Sequence, residues 1–374
     1  MKNYFDSISD VLKQYFNILS PNYPEWLNEY INTPEMERIG NISMDCGCDY
    51  TDLFPKHPWL SNLDHSVGVA LILWHFTGDK KQTLAGLFHD IATPTFKHCI
   101  DFMNGDSQNQ ESTEERTREI IENSPQIRLL LNRDGIKIDD VCDYKIYPIA
   151  DNNSPKLSAD RFEYNLSCGY IIHRIWNIND LRDCYKDVTI FKNEDGIDEL
   201  GFKHLNIAEK YMENISKLWP WWINDAARTS MQFLADMCLS MNTLGYLSVD
   251  DLYVLSEKEV IERFKTCDDY LSNAFRNFEK AKVCFKSDMK IDGKYSVNVR
   301  SKRRFINPLV WEENVCGRVA DLSKKAKKCI DDYMSLPIDG YTYLDFDFVP
   351  VVNTRTKKLI KNIEKGSILN EKTW

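Results

Sequence analysis

No apolar run in these 374 residues approaches the roughly 20 needed to cross a bilayer. The opening MKNYFDSISDVLKQYF sets charged against apolar residues at helical spacing and lacks the hydrophobic stretch of a secretion signal. CxxC is missing too. Eleven cysteines are present but scattered, and the one close pair is Cys46 and Cys48. An odd number of dispersed thiols argues against a disulfide framework and fits a reducing compartment. With no further ligands nearby, Cys46 and Cys48 read as free thiols and not as a zinc site. Internal repeats are absent, and low complexity is confined to a Lys-rich tail. These absences lead to the expectation of a cytoplasmic protein with no membrane partner.

What is there is an ordinary globular composition, 43% hydrophobic and 28% charged, long enough for two or three structural units. The net charge of −10 argues against indiscriminate nucleic-acid binding. It is unevenly spread. Residues 280–374 hold 20 Lys+Arg against 12 Asp+Glu, leaving 27 against 45 for the rest. Basic clusters fall at Arg300 to Arg304, Lys324 to Lys328 and Arg355 to Lys365. A solvated face balancing an acidic body accounts for them. A surface for nucleotide phosphates, nucleic acid or an acidic partner is the alternative.

Helical periodicity runs to about residue 285. Helices are expected near 4–18, 34–44, 64–77, 81–91, 112–131, 157–177, 204–217, 221–242 and 256–283. Thr33 is a cap candidate ahead of Pro34, and Ser112-x-x-Glu115 has the form of a capping box. Trp219-Pro220-Trp221-Trp222 reads as a helix boundary carrying core or interface anchors. The stretches 294–305 and 343–352 alternate as strands do. The fold class is mainly α with a small α+β appendage at the C-terminus.

The chemistry lies in three strings: HSVGV from His65, GLFHDIATPTFKH from Gly86, and LSADRFEY from Leu157. Two imidazoles and two carboxylates can hold one or two divalent ions that activate water against phosphorus. On the residues alone, a buried His-Asp-Arg network is an equal alternative. Leu-Phe-His-Asp-Ile sets a charged pair in an apolar context, where an unpaired carboxylate is costly.

In order and spacing these strings resemble the HD superfamily of metal-dependent phosphohydrolases, and within it the deoxynucleoside triphosphate triphosphohydrolase branch. TPEMERIGNIS looks like that branch's opening helix, with Arg38 at its arginine. The resemblance implies an HD-domain helical bundle over residues 33–180. A helical segment (1–32) precedes it, a helical extension (181–284) packs on it, and the basic appendage (285–374) follows. It implies His65, His89, Asp90 and Asp160 as ligands of a divalent metal (Mn²⁺, Fe²⁺, Mg²⁺ or Zn²⁺), one or two ions. Arg38, Arg161 and Tyr164 are implied to contact substrate. His98 is the candidate proton donor, and Glu114 a candidate general acid or base alongside Asp160.

Departures are specific. Asn62 stands where the branch has a phosphate-binding arginine, Thr93 and Thr113 replace histidines, and Cys168 replaces an aspartate. Lys56, His57 and Lys97 are possible replacement cations. The metal quartet is kept while the triphosphate-handling residues change. The expectation is therefore a metal-dependent phosphohydrolase acting on a nucleotide or another small phosphate ester. The alternatives are a nucleotide-sensing module and, through the basic C-terminal region, a nucleic-acid-binding nuclease. A homo-oligomer is plausible from the Trp cluster and the resemblance.

Overall fold

Side-chain caps set where the helices begin. Ser9 accepts from the Leu12 amide ahead of the Asp10–Leu19 helix, and Ser158 from the Arg161 amide ahead of Ala159–Ser167. The Asn62–Thr77 helix starts at a reciprocal box in which Ser61 accepts from Asp64 and the Asp64 carboxylate accepts from the Ser61 amide at 2.8 Å. In the computed structural model, residues 3–108, 110, 116–313 and 315–352 are described. Ser112, Thr113, Glu114, Glu115 and the cluster from Arg355 lie outside them.

Pro34 fills a helix first turn as expected, but Thr33 makes no cap bond; its hydroxyl donates to the Tyr30 carbonyl at 2.8 Å. Several long expected helices are broken. The 112–131 expectation resolves into Thr117–Asn123 and Pro125–Asp134, because Pro125 has no amide to continue the ladder and Ser124 caps the restart. The 157–177 expectation closes as Ala159–Ser167 followed by a π-helical turn, Cys168–Ile172. The 81–91 expectation ends early, since Lys80–Phe88 stops one residue before His89. His89 and Asp90 therefore occupy the turn beyond that helix and not its edge. Pro94 disfavours helix at the residue before it, and the Thr93 amide closes a turn onto the Asp90 carbonyl instead.

Two small sheets complete the fold. Val188–Lys192 and Asp198–Phe202 form an antiparallel hairpin that sequence periodicity had not shown, since each strand is only five residues long. Asp198–Phe202 pairs in parallel with Leu309–Glu312, which pairs antiparallel with Val315–Arg318. The second sheet orders Phe285–Ser287, Tyr341–Leu344 and Tyr295–Val297. Strands are thus present in both regions expected, though shorter than the alternation suggested.

Asn62–Thr77 is the central helix. From Asn62 to Leu73 every residue is buried, and it packs in the same core as the Asp10–Leu19, Lys80–Phe88 and Ala159–Ser167 helices. A second core gathers Phe96 to Phe102, the Asp225–Thr243 helix, Phe264 to Phe278, Tyr295 and Leu344. Trp219 is wholly buried, as an anchor residue should be.

The central helix and the Lys80–Phe88 helix meet closely at Gly86. A Cβ there would lie 2.3 Å from Leu73 Cδ1 and 3.1 Å from Val69 Cγ1. Gly86→Ala is expected to destabilise the protein by about 1–3 kcal/mol, the range for overpacking a core. A urea denaturation midpoint checks this, and an unchanged midpoint would show that Leu73 yields without cost.

Candidate metal centre

His65 is the fourth residue of the central helix, and its side chain is buried with only Nε2 directed at other site groups. Its Nδ1 donates to Glu163 Oε2 at 2.5 Å. Glu163 is fully buried and also accepts from the Tyr15 hydroxyl at 2.9 Å and the Ser167 hydroxyl at 3.1 Å. Its close approach requires Gly68, where a Cβ would lie 2.5 Å from Glu163 Oε1. His89 is fixed in the same way, its Nδ1 donating to the Gly86 carbonyl at 2.7 Å. With both Nδ1–H groups engaged, each ring in its neutral form presents a lone pair at Nε2. Those two nitrogens face each other at 3.2 Å.

Asp160 Oδ1 lies 3.2 Å from His65 Nε2 and 3.8 Å from His89 Nε2. Asp90 Oδ2 lies 4.0 Å and 3.7 Å from the same nitrogens. Ligands about 2.1 Å from one ion sit roughly 3.0 Å apart at right angles and 3.4 Å apart at tetrahedral angles. The His65–His89 and His65–Asp160 separations meet that spacing, and the His89–Asp160 separation is wider at 3.8 Å. The three donor atoms all lie within 4.8 Å of one another, with Asp90 alongside. Two facing lone pairs and two carboxylates repel unless a cation stands between them. The donor set fits a divalent metal.

Electrostatics agree. Burial opposes protonation of His65, but Glu163 and Asp160 outweigh it and raise the ring to about 9. Burial alone would raise Asp90; the charges of His89, Lys97 and His65 instead hold it well below the usual carboxylate range. Asp160 is likewise lowered against its burial, chiefly by its bond to His65.

The turn after Asp90 is built from residues that sequence reasoning had assigned elsewhere. Arg38 does not line the cavity at this centre. It donates to the Ile91 carbonyl at 3.0 Å and the Thr93 carbonyl at 2.7 Å, pinning the turn. Asn62 donates to the Thr93 hydroxyl at 3.1 Å, and Lys97 Nζ donates to Asn62 Oδ1 and lies 3.5 Å from Asp90 Oδ2. Phe96 and Lys97 hold positive φ values of 64° and 48°, strain that turns the lysine inward.

A cavity of about 570 Å³ opens over the centre. His98 lines it, held through Nδ1 by Asp101 at 2.9 Å, and burial lowers its pKa. Arg161 lines it as well, but its guanidinium is committed to the 151–156 loop, bonding Asp151 at 2.9 Å and the Lys156 carbonyl at 2.7 Å. Tyr164 contacts Trp222 edge-on at 5.4 Å. Sequence reasoning missed Glu163, and the only signal was a lone acid inside the apolar turn Phe162-Glu163-Tyr164. His173, Trp221 and Trp222 also line the cavity, although the sequence suggested a structural or surface role for His173 and anchor roles for the tryptophans.

No family model matches the chain. The metal-dependent phosphohydrolase cns2 of Cordyceps militaris is 26% identical over 140 residues, 37% of this chain and 39% of cns2. The chain is a distant relative of a metal-dependent phosphohydrolase. The uncharacterized protein YdhJ of Bacillus subtilis is 20% identical over 305 residues, 81% of this chain and 89% of YdhJ. A crystal structure of a hypothetical protein from Aquifex aeolicus shares the fold, with a TM-score of 0.60 and 14% identity over 92% of this chain and 95% of that one. These relatives do not single out the triphosphohydrolase branch.

Because folding raises His65 from its ordinary 6.5 to about 9, the metal-free protein draws stability from the charged ring. That stability is complete below pH 6.5 and lost as pH rises through 9, and amounts to at most about 3 kcal/mol. The metal-free thermal midpoint should fall over this window, and Glu163→Gln should flatten the decline. The same variant should weaken divalent-metal affinity roughly 10- to 100-fold, measured by calorimetry.

Proposed function

We propose that the protein is an HD-type metal-dependent phosphohydrolase whose ion is held by His65, His89, Asp90 and Asp160. The observation that carries this is the pair of Nε2 atoms facing each other at 3.2 Å beside Asp160, each ring fixed through its other nitrogen. A divalent ion in such a site lowers the pKa of bound water and neutralises charge developing on phosphate oxygens. The distant relationship to a metal-dependent phosphohydrolase supports the same chemistry.

In this reading Glu163 and the Gly86 carbonyl keep both imidazoles in the ligating tautomer. Asp101 holds His98 through Nδ1, so Nε2 is the nitrogen that can take up a proton from water and pass it to the leaving oxygen. Lys97 holds the Asp90 carboxylate in its ionised form. The substrate is a small phosphate ester or anhydride, and a nucleotide is the class we favour. The cavity volume lies within the range of small-molecule sites, and Tyr164 and Trp222 contribute aromatic surface to its lining.

A chromatographic product assay tests the reading. Protein with Mn²⁺ is offered dNTPs, NTPs, nucleoside monophosphates and cyclic nucleotides, with Asp90→Ala as control. Turnover of one class is expected, with at least a 100-fold loss in the variant, and the product names the bond cleaved. Absence of turnover across the panel by metal-loaded protein would overturn the nucleotide-hydrolase reading and favour a nucleotide-sensing module.

A further inference from the structure

The basic segment beyond residue 299 does not simply decorate the surface. Lys302, Arg303, Arg304 and Phe305 form part of the wall of the same cavity that holds the His-Asp centre. The segment is firmly seated, with Ser301 and Ile306 buried at its ends and the Arg304 amide donating to the Tyr333 hydroxyl at 3.2 Å. Arg300 pairs with Asp339 outside. Arg303 is committed to main-chain carbonyls, donating to Tyr333 at 2.8 Å and to Leu336.

Arg304 differs from its neighbours. Its guanidinium makes no hydrogen bond or ion pair with any described residue, although it is partly buried at the cavity wall. Its charge acts on His98 and on Tyr164, which line the same cavity. The other arginine of the wall that a substrate might have used, Arg161, is saturated by the 151–156 loop. A cation withdrawn from water without a counter-charge is costly, so a cavity retaining one is suited to an anion. The planar fork of arginine matches a pair of phosphate oxygens.

Resting on the phosphohydrolase reading above, we infer that Arg304 is the cavity's phosphate-binding residue, supplied to the metal centre by the C-terminal segment. The basic C-terminal region would thereby serve a small anionic substrate within the cavity and not a nucleic-acid backbone on the surface.

The test is titration of metal-stripped, full-length protein with inorganic pyrophosphate, followed by calorimetry. Arg304→Gln should weaken binding roughly ten- to hundredfold, the size of effect for one charge-assisted contact. Arg304→Lys, which keeps the charge and loses the fork, should weaken it several-fold. Arg300→Gln, at the external pair, should bind as the unaltered protein does. Thermal midpoints report whether each variant is folded, and if Arg304→Gln is not, the lysine variant decides. Equal affinity in the folded Arg304 variants, or no pyrophosphate binding by the unaltered protein, overturns the assignment. Because no metal or turnover enters this titration, failure of the hydrolase reading would register separately in the product assay.

Discussion

A buried carboxylate beneath a glycine is the constraint on which the site depends. Glu163 lies wholly inside the protein, and an ion there is tolerable only if its oxygens are filled by donors. His65, Tyr15 and Ser167 supply them. The three donors come from the N-terminal helix, the central helix and the Ala159–Ser167 helix, so satisfying one carboxylate also fixes how those helices meet. Gly68 provides the space, since any side chain there would collide with Glu163. Because His65 must give Nδ1–H to Glu163, its Nε2 is left as an acceptor beside His89 and Asp160. The geometry of the candidate metal site thus follows from the way the core satisfies its polar groups.

The turn carrying His89 and Asp90 is held by a second set of interactions. Arg38 clamps two of its carbonyls, and Asn62, Thr93 and Lys97 bond in sequence along its inner side. Asn62 and Thr93 are two of the positions where the chain departs from the triphosphohydrolase pattern. That they touch each other, and that Lys97 joins them, gives the departures a common physical basis: one hydrogen-bonded set in place of another. Lys97 is buried beside Asp90, so a positive charge persists at this spot although the arginine expected at residue 62 is gone.

Much of the helical character and the grouping of His65, His89, Asp90 and Asp160 was legible in the sequence, because helix caps and the HD strings are local signals. What was illegible depended on contacts between distant segments. The hairpin at 188–202 consists of short strands whose stability comes from pairing with Leu309–Glu312, more than a hundred residues away. Nothing local marks Glu163, whose role depends on Gly68 lying against it. Arg38 and Arg161 have the residue type of phosphate ligands, yet their donors are directed at main-chain carbonyls and Asp151, partners that local sequence does not reveal. The same limit applied to Arg304, whose cluster looked like solvated charge until the segment was seen to face the cavity.

The distribution of charge bears on what the cavity would attract. Two neutral imidazoles and two carboxylates match a divalent ion in charge, so the filled centre is close to electrically neutral. The cations around it then decide what is attracted. Lys97 is neutralised by Asp90, Arg161 by Asp151, and Arg303 is spread over carbonyls, each tied to holding a loop in place. Only a cation without such a partner retains attraction for an incoming ligand, and in a partly desolvated cavity that attraction is stronger than at a surface. A neutral metal site beside an uncommitted guanidinium would discriminate between phosphates by where their second anionic group lies. Binding strength and position on the metal would therefore be set by separate parts of the chain. On that proposal the core helices would fix the ion, and the C-terminal segment would fix the substrate against it.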